Sequence, residues 1–415
     1  MTMTTFDLDP RSAPAAPEAA PVVRPRWRHF DRQLAAVLGL ILLFGLVVNY
    51  TASYTIGHKF FGDGTYYVKR QLVWLGVGLA AGGLMFAVDY RLWRRWSVLI
   101  MAGTLVMLIG VLAFGVTRLG GERWFLAGGS VQPSELAKLT VVIYIADWLA
   151  SKKDDIRDVT MGLIPFSIMI GTVCGLIVME HSFSVALLVG LVATVMFFTA
   201  GAELVQMLTA GSVAGLVFVA LMLQAPYRVD RVRAFMDPAA DPTGNGYQVL
   251  QSLSAVGEGG LFGVGLGSGQ QKALVPLAHT DNVFAVVAEE LGVVGGLVML
   301  LLFGFLALRG FRIAGGAPNR YASLLATGIT TWIIAQALIN VAVVTHVIPP
   351  TGVPLPFISY GGSSLVTCLA AMGLLLNISA RSDPAKARLY GDLDLRRGDR
   401  RSRLSRTHRA RRVGR

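Results

Sequence analysis

Apolar runs of about 20 residues recur along the chain, separated by short polar segments. A helix of that length crosses a bilayer core of roughly 30 Å, so each run predicts a membrane-spanning helix. We predict an all-α polytopic membrane protein with about ten transmembrane helices. The spans begin near Leu34, Gln71, Ser97, Ser134, Thr160, Phe183, Glu203, Phe284, Ala322 and Ser363.

Positive charge sorts the connections between these spans, because cytoplasmic loops are enriched in Lys and Arg. Basic residues precede span one and recur after spans two, four and eight. They are Arg24, Arg26, Arg28, Arg32, Arg91, Arg94, Arg95, Lys152, Lys153, Arg157, Arg309, Arg312 and Arg320. With ten spans these segments share one side with both termini, which we place in the cytoplasm. The turn "FFTAGAEL" between spans six and seven has no positive charge, so the count depends most on that turn.

Three informative loops then fall on the outer side. The first is "GVTRLGGERWFLAGGSVQPSE", the second runs for 56 residues from Ala225 to Thr280, and the third is "HVIPPTGVPLPFISYGGSS". A connection as long as the second, between helices 7 and 8, is either functional or disordered. Its amphipathic piece "GNGYQVLQSLSAVGEGG" favours an ordered loop that lies at the membrane surface.

Composition agrees with the membrane prediction. Hydrophobic residues make up 54% of the chain and charged residues 15%, against about 25% charged in soluble domains. Cys174 and Cys368 lie in apolar runs and form no disulfide or metal pattern. We expect a disordered Ala/Pro-rich tail over residues 1–33, a membrane domain over 34–380 and a basic tail over 381–415.

The basic tail holds thirteen Lys or Arg and four Asp or Glu residues, so it carries most of the net charge of +12. A basic segment after a final span marks the cytoplasmic side and attracts anionic membrane lipids. We therefore expect no nucleic-acid partner.

Several ionisable residues lie in or beside the spans, where charge is costly. Glu135 and Lys138 share one helix face at i, i+3 spacing, either as a structural ion pair or as a cavity-facing site. Lys69 and Arg70 begin span two on the outer side, where an anionic headgroup or ligand, or plain snorkelling, explains them equally well. Arg123, in the first outer loop, has the side chain that suits phosphate.

The stretch "LAHTDNVFAVVAEELG" places Asp281 before an apolar run and two further acids within that run. Asp281 is either a residue that caps the helix and favours its dipole or a chemical group, and it has too few neighbours for a metal site. Glu289 follows roughly 12 Å deeper at helical rise. Glu289 and Glu290 either pair with polar neighbours or shape a cavity. The nearby "GLFGVGLGSGQ" predicts a flexible or tightly turning loop, since the strand and helix of a dinucleotide motif are missing.

Together these motifs resemble the SEDS family (shape, elongation, division and sporulation). The similarity covers "NYTASY", "YYVKRQLVW", "VDYRLWRR", "GERWFLAGGSVQPSELAK", "GNGYQVLQSLSAVGEGGLFGVGLG", "HTDNVFAVVAEELG" and "PPTGVPLPFISYGGSS", in the family's order over roughly residues 34–380. Within the family, "YTASY", "VKRQ" and "DYRLWRR" favour the division type over the elongation type.

The resemblance implies a ten-helix peptidoglycan glycosyltransferase that polymerises lipid II on the outer face of the cytoplasmic membrane. It places the family's essential acid at Asp281, as the base that takes a sugar hydroxyl proton. A class B penicillin-binding protein and cell-division or elongation proteins are the implied partners. The substrate-binding candidates are Lys69, Arg70, Arg123, Glu135, Lys138, Gln251, Ser252, His279, Thr280, Ser359, Gly361 and Gly362.

Charge on the leaving pyrophosphate requires cations, which these basic residues or a divalent ion, Mg²⁺ or Mn²⁺, can supply. The residues themselves do not identify such an ion.

The chain departs from the family pattern at three positions. Leu277 stands where the family often has the Glu of "LPExHTD", and Ser182 stands where it often has the acid of "PDxGT". Asn282 replaces an aromatic residue. At the position of Ser182, an acid has a role in this chain only if Glu180 substitutes for it.

Two other functions stay open at this point. A lipid II flippase or transporter would need polar residues through the full membrane depth. A scaffold for a class B penicillin-binding protein would need no acid at Asp281. A lipid II transport assay beside a polymerisation assay distinguishes a flippase from a glycosyltransferase. Alanine at Asp281 distinguishes a scaffold, whose function it would leave intact.

The basic tail yields a first prediction. Deleting Arg396–Arg415 should leave polymerisation by the purified protein intact, because the segment follows the last span and needs no fold. Its contribution is expected at the membrane surface, so the deletion should weaken binding to anionic vesicles. Loss of polymerisation in the purified deletion variant would contradict this prediction.

Overall fold

The apolar runs form a bundle of helices, described here from a computed structural model. The structure describes residues 30–382 except 119–120, 125–131, 225 and 245, so both predicted tails lie outside the described residues, apart from a few residues at their inner ends. The helices are α1 Arg32–Phe61, α2 Tyr66–Ala87, α3 Tyr90–Arg95, α4 Ser97–Phe114, α5 Pro133–Lys152, α6 Ile164–Met179, α7 Phe183–Thr199, α8 Leu204–Leu223, α9 Pro226–Met236, α10 Tyr247–Gly259, α11 Val283–Gly315, α12 Arg320–Val344 and α13 Gly362–Ser379.

Shorter elements complete the chain. Two short strands, β1 Val116–Arg118 and β2 Gly121–Trp124, pair antiparallel in the first predicted outer loop. Single turns of 3₁₀ helix lie at Lys153–Arg157, Pro238–Ala240 and Gln271–Ala273, and a π-helical turn, Val159–Leu163, leads into α6.

The helical membrane fold is confirmed. Eight helices of the described chain are long and apolar enough to cross a bilayer: α1, α2, α4, α6 with its π turn, α8, α11, α12 and α13. The two other predicted spans are α5, which carries Glu135 and Lys138, and α7, which has 17 residues. Ten crossings and the orientation of the termini stay predictions.

Helix ends that were predicted to share one side do meet. The Asp31 side chain accepts a hydrogen bond from the backbone amide of Leu34 at the start of α1, and it also pairs with Arg309 near the end of α11. The backbone amide of Asp31 donates to the Ser379 hydroxyl, at the last residue of α13. One capping residue therefore ties three helix ends together.

The core of the bundle lies around α12 and α13, whereas α8 is almost wholly exposed along its length. Helices α2 and α13 approach closely because small residues line their contact. A Cβ atom at Gly373 would lie 2.0 Å from the Gly82 carbonyl oxygen. The backbones of the two helices therefore touch at this crossing.

The long segment between α8 and α11 is folded, as predicted, wherever the structure describes it. It contains α9, α10 and the 3₁₀ turn Gln271–Ala273, and α10 packs on α11. Its position outside the cell stays a prediction.

Helix α11 is broken at Gly292, whose φ of 65° and ψ of −164° are outside the helical region. The part that follows, residues 293–315, spans about 34 Å at 1.5 Å per residue, which is enough to cross the bilayer core. The preceding part, residues 283–291, is thus not needed for the crossing. Glu289 and Glu290 belong to this extra part, so they do not interrupt the membrane-crossing segment.

The glycine-rich loop fills the break. A Cβ atom at Gly263 would lie 2.2 Å from the Glu290 carbonyl oxygen, and one at Gly259, the last residue of α10, would lie 1.8 Å from that of Ala288. The loop is therefore of the tightly turning kind, and its glycines permit backbone contact with α11.

The break predicts an unusual sensitivity at one glycine. Gly292→Ala should lower stability by about 2–5 kcal/mol, because an L residue is strained at that φ and ψ and its Cβ would lie 2.4 Å from the Gly263 nitrogen. The measurement is the melting temperature of the purified protein in detergent.

Gly304→Ala is the matched control in the same helix. A Cβ atom there meets no atom within 4 Å, and alanine favours helix by up to about 1 kcal/mol. Equal melting temperatures for the two variants would contradict the account of the break.

Candidate active site

The turn before α11 holds Asp281 in a fixed backbone frame. The Leu277 carbonyl accepts hydrogen bonds from the backbone amides of Thr280 and Asn282 and from the Thr280 hydroxyl, at 3.0–3.3 Å. Leu277 itself has a φ of 53°, a left-handed conformation that is rare for leucine. From α12, Asn340 Nδ2 donates to the Asp281 carbonyl at 2.6 Å.

Asp281 is half-buried in this turn, and Asn282, not Asp281, is the N-cap residue of α11. A carbon added at Gly352 would lie 3.4 Å from Asp281 Oδ2, so the carboxylate faces the loop between α12 and α13. The carboxylate therefore lies beside a glycine, and the choice between a capping role and a chemical role for Asp281 stays a prediction.

The loop between α12 and α13 packs directly on this turn. Ser359 Oγ donates to the Thr280 carbonyl and accepts from the Leu355 amide at 2.8 Å, while the Tyr360 amide donates to the His279 carbonyl at 2.8 Å. Gln71 Nε2 of α2 donates to the Ser359 carbonyl at 3.3 Å. Two motifs some 80 residues apart in the chain are therefore brought together.

The glycines that follow Ser359 lie where α13 begins. Gly361 is its N-cap residue, and a Cβ atom at Gly362 would lie 2.5 Å from the Trp74 ring. The observed role of Gly362 is close packing of α13 against α2, and that of Gly361 is to begin α13.

His279 is enclosed by aromatic rings. Its ring centroid lies 4.7 Å from that of Tyr67 and 5.8 Å from that of Tyr360. Burial lowers the pKa of His279 to about 4, so the imidazole is neutral at pH 7. It therefore adds no positive charge next to Asp281.

The two basic residues at the start of α2 differ in their partners. Lys69 Nζ pairs with Asp63 at 2.8 Å, and this pairing, with hydrogen bonds from Thr65, holds the pKa of Asp63 well below its usual range. Arg70 instead donates to the Tyr66 hydroxyl at 2.9 Å. Burial raises the pKa of the Tyr360 hydroxyl, and the nearby Arg70 guanidinium opposes that shift.

Glu135 and Lys138 form the predicted pair. Their charged atoms lie 2.8 Å apart, and both side chains are no more than 4% exposed. Lys138 Nζ also donates to Gln336 Oε1 at 2.9 Å and lies 5.4 Å from the Trp332 ring centroid. The pair is therefore part of the interior of the bundle.

A polar stripe on α12 connects this pair to Asp281. Gln336 Nε2 donates to the Pro354 carbonyl at 2.8 Å, and Asn340, one helical turn further on, donates to the Val353 carbonyl at 2.9 Å. Sequence reasoning missed both residues. Their four-residue spacing in the apolar run "TWIIAQALINVAVV" is the signal that was available.

The loop helix α10 contacts the site through a residue that the sequence did not single out. Gln248 Nε2 donates to Asn282 Oδ1 at 3.4 Å. Of the two predicted residues on α10, Ser252 is buried and Gln251 half-buried, one turn after Gln248. Arg123 belongs to β2, but its side chain lies outside the described residues.

A model of the FtsW, RodA and SpoVE family, described as cell cycle protein, matches residues 31–383. The chain belongs to this family. A probable peptidoglycan glycosyltransferase FtsW of Trichlorobacter lovleyi is 40% identical over 86% of this chain and 96% of the relative. Stage V sporulation protein E of Bacillus subtilis is 41% identical over 85% and 97%.

Solved structures with a similar fold support the family assignment. A peptidoglycan synthase complex, described for its coordination of polymerization and crosslinking, contains a chain similar at a TM-score of 0.71 and 30% identity, over 85% of this chain and 98% of that chain. The crystal structure of RodA from Thermus thermophilus is similar at a TM-score of 0.64 and 27% identity, over 86% and 98%. The chain is thus a multi-pass membrane protein and an FtsW-like member of the family.

The family resemblance inferred from the motifs is confirmed, but the role of each site residue stays a prediction. Where the family often has an acid, Ser182 is buried, and Glu180 is buried two residues before it. No group of three His, Cys, Asp or Glu side chains that could hold a metal ion occurs within the described part of the chain.

The buried pair on α5 yields a prediction about stability. Lys138→Ala leaves the Glu135 charge buried without its partner, which costs about 3–5 kcal/mol, so its melting temperature should fall markedly. The double variant Glu135→Met with Lys138→Leu removes both charges and should fall much less. Equal melting temperatures for the wild type and both variants would contradict a buried, mutually dependent pair.

Proposed function

We propose that this chain is a peptidoglycan glycosyltransferase that polymerises lipid II into glycan strands on the outer face of the cytoplasmic membrane. The names of the FtsW relatives support this reaction. The observation that carries it is the placement of Asp281: the residue is half-buried in the loop that precedes a membrane-crossing helix, and Asn340 of α12 donates to its backbone carbonyl. A lipid-linked sugar brings its head group to such a place while its chain stays in the bilayer.

The proposed chemistry needs one base at this point. The hydroxyl of one sugar attacks the anomeric carbon of another, and the lipid pyrophosphate leaves. Asp281 accepts the hydroxyl proton, which requires hydrogen-bond reach to the acceptor sugar. The pyrophosphate departs without a protonating partner, so one carboxylate suffices, unlike the carboxylate pair of glycoside hydrolysis.

Charge on the leaving group calls for cations aimed at it. Among the candidate cations whose side chains the structure describes, Arg70 is the best placed, because its guanidinium lies near Tyr360, whose amide is bonded to the Asp281 turn. Lys69 already pairs with Asp63 at the surface, and Lys138 pairs with Glu135 in the interior. We propose Arg70 as the primary phosphate ligand, with Arg123 as a second candidate.

A divalent cation is a further proposal. Mg²⁺ is usually held by one or two carboxylates together with substrate phosphates. Asp281 can supply one carboxylate, and in the described part of the chain no carboxylate cluster provides a complete protein site. Any such ion would therefore depend on phosphate ligands from the substrate.

We further propose that the protein serves septal wall synthesis and works beside a class B penicillin-binding protein. Both of its termini lie in the cytoplasm in this proposal. The FtsW names of several relatives support the division role, and a solved peptidoglycan synthase complex that couples polymerization to crosslinking supports a crosslinking partner. The relative named for sporulation is as similar to the chain as the FtsW relatives are.

The proposal predicts a specific loss at Asp281. Asp281→Asn keeps the side-chain volume but cannot take the proton, so the polymerisation rate of purified protein with lipid II should fall roughly 10²–10⁴-fold. The melting temperature should change little. Asp281→Glu should also be slow, because it displaces the carboxylate by one methylene.

Asp230→Asn is the matched control, since Asp230 is an acid of the same long segment that pairs with Arg233 at 3.4 Å. It should polymerise at the wild-type rate. A normal rate for Asp281→Asn would refute the catalytic role. In the same variants, lipid II transport without polymerisation would favour a flippase.

A further inference from the structure

The break at Gly292 leaves helical backbone groups that the glycine-rich loop satisfies. The amides of Val264 and Gly265 donate to the carbonyls of Glu289 and Glu290, both at 3.0 Å. The amides of Val293 and Val294 donate to the carbonyls of Gly260 and Leu261, at 3.0 and 3.1 Å. These four bonds replace the helical bonds that the break removes.

The side chains of the two acids bind the next part of the same loop. Glu289 Oε1 accepts from the Gln271 amide at 2.7 Å, and Glu289 Oε2 accepts from the Lys272 amide at 3.0 Å. Lys272 Nζ pairs with Glu290 Oε1 at 2.5 Å and also donates to the Gly267 carbonyl at 2.9 Å. Both oxygens of Glu289 are therefore engaged.

All three charged side chains are buried: the exposed fraction is 0% for Glu289, 1% for Glu290 and 6% for Lys272. Buried charges of this kind are costly to separate. The pairing therefore fixes one geometry of the loop relative to α11.

Asp281 lies between the two anchored points. The chain runs from Lys272 through the Asp281 turn into the first two turns of α11, and the Lys272–Glu290 pair closes this path into a ring. A shift of Lys272 away from Glu290 would loosen the segment that leads into the turn. The Lys272 side chain itself contacts Glu290 and Gly267.

We propose that Lys272, held by Glu289 and Glu290, is a positioning residue that sets the place of the Asp281 carboxylate for the reaction. It acts through the ring and does not touch the substrate. This inference rests on the proposed function of Asp281 as the base. It assigns the two acids of the apolar run to positioning rather than to proton transfer.

The test is Lys272→Met, which keeps the length of the side chain and removes the charge. We expect kcat for lipid II polymerisation to fall at least tenfold with KM changed less than twofold, because a displaced base weakens the chemical step and not substrate binding. Lys272→Arg, which keeps the charge, should recover at least part of kcat. An unchanged kcat for Lys272→Met would overturn the proposal.

Arg309→Met is the matched control, because Arg309 pairs with Asp31 at the other end of the same helix. It should lower the melting temperature while kcat stays within twofold. Equal losses of kcat in the Lys272 and Arg309 variants, tracking equal losses of melting temperature, would show a merely structural role and overturn the proposal.

Hydrogen exchange supplies a measurement that does not require a folded variant. In the wild-type protein, the amides of residues 264, 265, 271, 272, 293 and 294 should exchange slowly, and free exchange there would contradict the ring. The same rates distinguish the two proposals. A slow polymerisation rate for Asp281→Asn with a normal rate for Lys272→Met would refute only the positioning role. Normal Asp281→Asn sinks the catalytic role whatever Lys272 does.

Discussion

The structure depends on one constraint: backbone amides and carbonyls near a bilayer must find partners inside the protein. A helix satisfies this rule by itself, but α11 gives up helical bonds at Gly292. The break is tolerated because the segment over residues 260–272 returns four backbone bonds and binds both acids. Only glycines allow that approach, since a Cβ atom at Gly263 would collide with the Glu290 carbonyl. The Asp281 turn lies in a loop, but these contacts attach it to α11.

A second consequence concerns the Glu135–Lys138 pair and Asp281, which are far apart in the sequence and looked independent. Lys138 is bonded to Gln336, and Gln336 and Asn340 each hold one carbonyl of the Val353–Pro354 segment. Asn340 also holds the Asp281 carbonyl. Moving the α5 pair would therefore disturb the wall of the Asp281 site without any direct contact. A loss of activity at Lys138 alone does not distinguish substrate binding from support of that wall.

Much of this arrangement could be predicted from local pattern and family resemblance. Periodicity and length located the helices, and i, i+3 spacing gave the Glu135–Lys138 pair. The break at Gly292 could not be predicted, because an isolated glycine in an apolar run is also compatible with continuous helix. Lys272 was overlooked for a related reason: its partner lies eighteen residues away, and no periodicity records such pairings. Tyr67 and Gln248 reach the site only through packing between separate elements.

The electrostatics of the outer end then follow from which charges are already paired. Lys69 has Asp63, Lys138 has Glu135 and Lys272 has Glu290. Among the ion pairs formed by the described residues, Arg70 has no acid partner, and its guanidinium donates to the Tyr66 hydroxyl. His279 is neutral because burial lowers its pKa to about 4. Of Lys69, Arg70, Lys138 and Lys272, Arg70 is therefore the cation without an acid partner, and its planar, multi-donor guanidinium suits phosphate.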